Sequence, residues 1–331
     1  MIPRKQSGNQ TRRYFTDPLE LLEYLNLTPD QLPFSAMAMQ QFRFKVPVSY
    51  AQKIQPGVPG DPLLLQVFPL IDELKQAPDY LADPLSEADY VSQPGLLQKY
   101  HGRALLLVTP NCAINCRYCF RRHYPYDDKG HLWGQIENNI QLLQQDPTIS
   151  EVILSGGDPL SLSDDKFAQL LDKLETIPHL KRIRIHSRYP IVEPERITSE
   201  LLDSLNNSRL HPVLVLHINH AREIGQDNHS SLERLHAHHI TLLNQSVLLK
   251  GVNDSVKALM QLSEALIEHN ILPYYLHMLD QVQGSAHFEV DEQEAALIYQ
   301  QLRANLPGYM LPRLVREISG KPSKSPVFIS S

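Results

Sequence analysis

Short runs of apolar, β-branched residues recur along the last two-thirds of the chain. These runs are apolar on both faces rather than alternating, which is typical of strands buried in a parallel sheet. The six runs are RALLLVTP (103–110), EVILSGG (151–157), RIRIHSR (182–188), PVLVLHIN (212–219), ITLLNQSVLL (240–249) and ILPYYLHML (271–279). Amphipathic helical patterns lie between them, so the sequence predicts six β–α units and an α/β fold.

Polar residues that favour helix N-termini precede two of the helical patterns. Ser161 and Asp164 are spaced as a capping box, and Asp254 stands as an N-cap before SVKALMQLSEALIEHN. Six units are too few for a complete eight-unit barrel. The predicted fold is therefore an open, partial (β/α)6 barrel of the TIM type, with a doubly wound sheet as the alternative.

The chain divides into three regions by pattern. Residues 1–100 contain the amphipathic segments PLELLEYLNL (18–27) and PLLLQVFPLIDELKQ (62–76), which predict a mainly helical N-terminal extension. Residues 101–306 carry the predicted barrel. Residues 307–331 form a short C-terminal segment rich in Pro, Lys and Ser, a composition that is by itself typical of disorder.

Composition narrows the class of protein. Of 331 residues, 42% are hydrophobic and 21% are charged, which indicates a globular protein with a full core. The net charge of −6 argues against nucleic acid or an anionic membrane as a main partner. No apolar run is long enough to span a membrane, and the basic N-terminus lacks a signal peptide's apolar stretch. We expect a cytoplasmic protein.

All three cysteines lie within eight positions, in CAINCRYCF (112–120). Cys112, Cys116 and Cys119 are odd in number and too close together for a disulfide framework. They follow the first predicted strand, at the barrel edge where active sites gather. Three thiolates at this spacing predict a metal or cluster site with one ligand position left open. A zinc site would need a fourth ligand, for which the candidates are His123, His217 and His220.

The spacing CxxxCxxC, with Tyr118 inside it and Phe120 after it, resembles the motif of radical S-adenosylmethionine (SAM) enzymes. This resemblance implies a [4Fe–4S] cluster on the three cysteines, with one iron left open for SAM. The segment SGGDP (155–159) ends the second predicted strand, and its glycines leave backbone groups accessible to a ligand. It resembles the segment that holds the amino group of SAM. The residues concerned are Ser155, Gly156, Gly157 and Asp158.

From about residue 60 to residue 326, the chain resembles the lysine 2,3-aminomutase family. The segments that carry the resemblance are DPLLLQVFP (61–69), CAINCRYCFRRHYP (112–125), LSGGDPL (154–160), RIHSRYPIVEPERIT (184–198), HINHAREI (217–224), NQSVLLKGVND (244–254), PYYLHMLD (273–280) and KSP (324–326). The resemblance implies a partial barrel of six βα units and an isomerase that converts L-lysine to β-lysine. Two alternatives are an aminomutase for another amino acid, such as glutamate, and a non-catalytic iron–sulfur sensor.

The resemblance also implies pyridoxal 5′-phosphate (PLP), bound as a Schiff base to a lysine near the C-terminus. Lys324, in GKPSKSP, matches that lysine, and Lys321 is the alternative. Arg103 matches an arginine near the PLP, and Lys99 falls near a second basic position. His217 and Gln245, at the ends of the fourth and fifth predicted strands, resemble residues around SAM.

The substrate contacts that the resemblance implies follow the charges of lysine. Arg121 matches the arginine that binds the α-carboxylate, and its planar fork suits bidentate pairing. Asp280 and Glu317 match the two acids that bind the ε-ammonium, although the second is aspartate in the parent enzymes. An acidic pair favours a substrate with a cationic tail over one with a second carboxylate.

The short form of the chain, with HMLD (277–280) and PSKSP (322–326), resembles the bacterial EpmB-type branch of the family. That branch makes β-lysine for attachment to translation elongation factor P by a lysyl-ligase. Long members of the family bind zinc across subunits through additional cysteines, and this chain has no cysteine outside 112–119. We therefore do not expect that zinc site. A homo-oligomer is an open alternative to a monomer.

Overall fold

The structure of the protein is a computed structural model that describes residues 13–126 and 132–327. Its strands are β1 (Tyr14–Phe15), β2 (Val46–Pro47), β3 (Val91–Gln93), β4 (Leu96–Tyr100), β5 (Arg103–Thr109), β6 (Glu151–Gly156), β7 (Arg182–Ser187), β8 (His211–His217), β9 (Thr241–Val247), β10 (Leu272–His277), β11 (Arg313–Arg316) and β12 (Ser325–Pro326). Strands β5 to β10 coincide with the six predicted runs, so this part of the prediction is confirmed.

The helices lie between the strands. They are α1 (Pro18–Tyr24), α2 (Ala36–Gln41), α3 (Val48–Ala51), α4 (Pro62–Leu65), α5 (Ile136–Gln145), α6 (Asp164–Glu175), α7 (Tyr189–Val192), α8 (Ser199–Asn207), α9 (Gln226–Ala237), α10 (Val256–Glu268) and α11 (Glu292–Asn305). The longer helices pack one apolar face on the sheet: α10, for example, buries Leu259, Leu262 and Leu266. No helix in the described part of the chain is both long and apolar enough to cross a lipid bilayer.

The large sheet is open and follows the order of the chain. From β3 to β12 each strand pairs with the next one in sequence, and β5 to β11 are all parallel. A doubly wound sheet would reverse this order part-way. The predicted α/β partial barrel is therefore confirmed, and the doubly wound alternative is wrong.

The sheet reaches beyond the predicted barrel limits of 101–306. The antiparallel strands β3 and β4 lie within residues 1–100, where a mainly helical extension was predicted. At the other edge, β11 lies parallel to β10, and β12 returns antiparallel to β11. The C-terminal segment is thus ordered through residue 327. Its last strand begins at Ser325, immediately after Lys324, which brings this lysine to the sheet edge.

Two helix caps differ from the predicted ones. The Ser163 hydroxyl accepts from the backbone N–H of Lys166 at the start of α6, and Ser255 does the same for Ala258 at the start of α10. The predicted capping box of Ser161 with Asp164 and the predicted Asp254 cap are wrong. In the first case residues 159–161 form a separate 3₁₀ turn, which delays the start of the helix.

Candidate active site

One cavity of about 310 Å³ opens where the parallel strands end, and it brings together residues that are far apart in sequence. Each of the strands β5 to β11 contributes lining residues from within the strand or from the loop just after it, as expected for a barrel of parallel strands. The predicted site residues on its wall are Cys112, Cys116, Cys119, Arg103, Arg121, Ser155, Gly156, Gly157, Asp158, His217, Gln245, Asp280, Glu317 and Lys324. Lys99 also lines the cavity, whereas the alternative Lys321 is exposed and does not.

The three thiols lie close together on one side of the cavity. Burial raises the pKa of Cys112 well above its usual range, and burial raises the pKa of Cys119 to about 11, with Cys116 adding to both shifts. The described residues form no group of three or more His, Cys, Asp or Glu side chains that could hold a single metal ion. His123 instead bonds the carbonyl oxygen of Gln283.

A fully buried cluster of charged side chains anchors the cysteine loop. Glu73 accepts from Arg117 at 2.8 and 2.6 Å and from Arg122 at 2.6 Å, and all three side chains are completely excluded from solvent. Arg117 also donates to the carbonyls of Phe42 and Ala38, at 2.7 and 3.0 Å. The cluster therefore fastens the loop to α2 of the N-terminal extension.

Replacing Glu73 by glutamine is expected to destabilise the protein by about 3–5 kcal/mol, because two guanidinium groups would stay buried without a carboxylate. The measurement is the free energy of unfolding in denaturant. Glu137, which pairs with Lys173 on the surface, is the matched control. Glu137→Gln should cost less than about 1 kcal/mol. Equal losses in the two variants would contradict a structural role for the buried cluster.

A second buried network reaches one of the thiols directly. Arg188, which follows β7, lies 2.6 Å through Nη1 from the Sγ atom of Cys116. Its Nη2 donates to Gln66 at 2.8 Å and to Glu223 at 2.7 Å. The sequence analysis missed this arginine, although its position after the third predicted strand is a signal that could have found it. Arg188 therefore places a buried positive charge beside one of the three predicted cluster ligands.

The SGGDP segment packs against the end of β5 and the start of the cysteine loop. A Cβ atom at Gly156 would lie 2.5 Å from the carbonyl oxygen of Thr109, and one at Gly157 would overlap the carbonyl of Asn111. Gly156 also has φ +115°, where L side chains are strained. Both glycines are therefore needed for this close approach, which leaves their backbone groups on the cavity wall.

Asp158 is held by the protein itself. Its carboxylate accepts from the Ser187 hydroxyl and from the Arg188 backbone N–H, both at 2.7 Å. Burial raises the pKa of Asp158 to about 6, although these hydrogen bonds act in the opposite direction. Its side chain therefore orders the loops after β6 and β7, and its role toward a cofactor stays a prediction.

The two acids predicted to bind an ammonium differ in their surroundings. Glu317 accepts from Lys324 at 2.6 Å and from Tyr100 at 2.7 Å. Lys99 Nζ lies 2.8 Å from Glu317 Oε1 as an ion pair, without the alignment of a hydrogen bond. Burial raises the pKa of Glu317, but the Lys324 ammonium and the other donors overcome burial and hold the pKa well below its usual range.

Asp280 has no such compensation. Its side chain makes no hydrogen bond or ion pair with the described residues, and burial raises its pKa to about 7 despite the nearby Lys324. A carboxyl group in this condition gains most from an incoming cation. Of the predicted acidic pair, Asp280 is the member that is free to receive one.

Two imidazoles on the cavity wall also lack partners. Nε2 of His186 and Nε2 of His217 are buried without a hydrogen-bond partner in the described part of the chain. Burial lowers the pKa of both, to about 3 for His217 and well below the usual range for His186, so both rings are neutral. Buried polar atoms of this kind are normally satisfied. A bound ligand in the cavity would satisfy them, which supports a cofactor site here.

Comparisons with known proteins agree with this arrangement. The Radical SAM superfamily profile matches residues 106–262. The chain is 47% identical to the L-lysine 2,3-aminomutase of Escherichia coli K12 over 313 residues, which cover 94% of this chain and 91% of that protein. The protein of the same name from Haemophilus influenzae is 46% identical, with 94% and 92% covered. The chain belongs to the lysine 2,3-aminomutase family.

Membership of this family makes the chain an isomerase of the radical SAM type, with a [4Fe–4S] cluster and SAM. The three cysteines fit the cluster because they are soft thiol donors that lie close together on one cavity wall. The family also has longer members. The L-lysine 2,3-aminomutase of Clostridium subterminale is 35% identical over 320 residues, which cover 96% of this chain and 76% of that protein.

Proposed function

We propose that the protein converts L-lysine to β-lysine with a [4Fe–4S] cluster, SAM and PLP. The observation that carries the proposal is that the cysteine loop, Lys324 and Asp280 line the same cavity. The cluster with SAM would supply hydrogen-abstracting radical chemistry, and PLP would supply the electronic stabilisation that lets nitrogen migrate from C2 to C3. These reactants have to be held together, and the residues that would hold them line one cavity.

The chain's own residues position the substrate. The Arg121 guanidinium binds the α-carboxylate at one end of lysine, and Asp280 binds the ε-ammonium at the other. Lys324 fixes PLP, with Arg103 near the cofactor, and the neutral imidazole of His217 lies on the SAM side with Gln245. The cavity walls keep water away from the reacting atoms. Aligning reactants in this way removes much of the entropic cost of reaction.

Lysine is a better fit than glutamate because of the acids on the cavity wall. A glutamate side chain would bring a second carboxylate toward Asp280 and Glu317. The uncompensated carboxyl of Asp280 favours a cation, whereas it disfavours another anion. A non-catalytic iron–sulfur sensor would have no need of Lys324, Arg121 and Asp280 on the same cavity as the cysteines.

An anaerobic assay tests the proposal. The purified protein is incubated with SAM, PLP and a reductant, and each candidate amino acid is supplied in turn. We expect β-lysine from lysine and no β-glutamate from glutamate. An absorbance spectrum that shows cluster bands but never a PLP band would favour the sensor instead.

Replacing Lys324 by alanine is expected to remove PLP without removing the cluster. Of the two candidate lysines, Lys324 lines the cavity, and its Nζ lies 2.6 Å from Glu317 and 5.6 Å from the centre of the Tyr275 ring. Borohydride reduction should fix PLP to a peptide that contains Lys324 in the unaltered protein and to none in the variant. The matched control is Lys321→Ala, because Lys321 is exposed outside the cavity. Labelling at Lys321 would contradict the assignment.

The product's destination is part of the same proposal. The resemblance of the chain to the EpmB-type branch supports a supply of β-lysine for elongation factor P. The test supplies the aminomutase product to elongation factor P and its lysyl-ligase and measures the mass of the modified factor. We expect elongation factor P to gain mass when the aminomutase product is supplied. The yield of modified factor should be lower when free L-lysine is supplied instead. Equal yields from both would contradict this link.

A further inference from the structure

The arginine proposed to bind the substrate carboxylate already holds a carboxylate of the protein. Arg121 Nε donates to Glu87 Oε2 at 2.8 Å, and Arg121 Nη2 donates to Glu87 Oε1 at 2.7 Å. Side-chain exposure is 8% for Arg121 and 11% for Glu87, so this bidentate pair is largely removed from water. Glu87 lies in a 3₁₀ turn before β3 and lines the same cavity.

These contacts, together with one to Ser155, leave only two N–H groups of Arg121 without a protein acceptor among the described residues. A guanidinium has five N–H donors in a fixed plane. Glu87 takes two of them on the side edge, and the Ser155 hydroxyl accepts a third from Nη1 at 2.8 Å. One N–H therefore remains on Nη1 and one on Nη2. The edge formed by Nε and Nη2 is thus occupied, and the end edge formed by Nη1 and Nη2 is the edge that remains for pairing with a carboxylate.

We propose that Glu87 is a positioning residue for substrate recognition: it holds Arg121 by the side edge, so that only the end edge is presented to the substrate carboxylate. This inference rests on the proposed function and adds to it a residue that the sequence analysis did not single out. The signal was available only through the fold, because Glu87 and Arg121 are 34 positions apart.

The test compares E87Q and E87D with the unaltered holoenzyme, using lysine and lysinamide. Lysinamide keeps the ε-ammonium and lacks the carboxylate charge. Glutamine cannot accept from both Nε and Nη2, so the fork turns away from its fixed orientation. We expect E87Q to raise KM for lysine about ten-fold with a smaller change in kcat. Lysinamide affinity, measured by the change in cofactor absorbance, should change less than about two-fold. E87D should restore part of the lysine affinity.

Controls separate this inference from the proposed function. Asp89→Asn changes an exposed acid of the same 3₁₀ turn and should leave KM unaltered. If E87Q binds lysine more tightly, Glu87 is a competitor for the fork and the inference fails. Equal losses for lysine and lysinamide would show a merely structural residue and overturn it too. If the unaltered enzyme turns over no lysine at all, the proposed function fails, whereas the two binding measurements still test Glu87.

Discussion

A Cys116→Ala protein is expected to lose most of its iron and all aminomutase activity while it keeps its fold. Cys116 lies on the cavity wall with Cys112 and Cys119, and removal of one thiolate leaves the cluster with too few protein ligands. The fold should survive because the loop is fastened by other groups. The Arg117 backbone N–H donates to the Gln66 carbonyl at 2.9 Å, and its side chain is held by Glu73.

The measurements are iron per chain, visible absorbance and circular dichroism on anaerobically reconstituted protein. Asn111→Ala is the matched control, since Asn111 is an exposed neighbour of Cys112 whose carbonyl, rather than its side chain, bonds the SGGDP segment. That variant should keep its iron. Near-normal iron content in Cys116→Ala would contradict the assignment of three cysteine ligands. Loss of the far-ultraviolet spectrum would instead make Cys116 a folding residue.

The central strands could be predicted because each one is buried on both faces. A run such as RALLLVTP has no polar alternation, and that pattern has few other structural explanations in a chain of this length. The edges of the sheet could not be predicted in the same way. Strand β4, LLQKY, and strand β11, RLVR, carry charged or amide side chains because one side of each lies near solvent or the cavity. Their pairing with neighbours, rather than their pattern, makes them strands.

The partners of the site residues could not be predicted either. Glu73 lies 44 positions from Arg117, and Glu87 lies 34 positions from Arg121. Neither acid is marked by a motif, so only the fold shows that both are paired. The same holds for the two acids that were predicted to bind the substrate ammonium. Sequence makes Asp280 and Glu317 look equivalent, whereas the fold places Lys324 and Lys99 on Glu317 and leaves Asp280 without a salt bridge in the described part of the chain.

This difference makes Asp280 the sharper probe of substrate choice. Asp280→Asn keeps the shape of the side chain and removes the charge that would face the ε-ammonium. A charge-assisted hydrogen bond of this kind contributes about 1.5–3 kcal/mol. We expect kcat/KM for lysine to fall roughly ten-fold to a hundred-fold. Norleucine, which lacks the ε-amine, has no charge to lose there, so its binding should hardly change. Equal losses for both ligands would make Asp280 a structural turn residue.

The pH dependence of kcat/KM provides a second test of the role of Asp280. Because the pKa of Asp280 is raised to about 7, only part of it is ionised in the free protein at neutral pH. Lysine needs the ionised form, so kcat/KM should rise as pH rises through about 7 and then level off. This rise of kcat/KM with pH should be absent from Asp280→Asn. If the same rise persists unchanged in the variant, it reports the titration of another group.

As pH rises, the contribution of Asp280 to the stability of the fold should decrease while the activity increases. A carboxyl whose pKa is higher in the folded state binds its proton more tightly there than in the unfolded chain. Its contribution is therefore favourable at low pH and is lost as pH rises from the usual value of 3.8 through about 7. At pH 8 the unaltered protein carries the cost of an ionised carboxylate in a partly buried position without an ion pair among the described residues. Asp280→Asn should then be more stable than the unaltered protein, by on the order of 2 kcal/mol in the free energy of unfolding.

A variant that is both less active and less stable would indicate that Asp280 has a structural role. A less active but more stable variant would indicate that the chain keeps this carboxylate for its ligand.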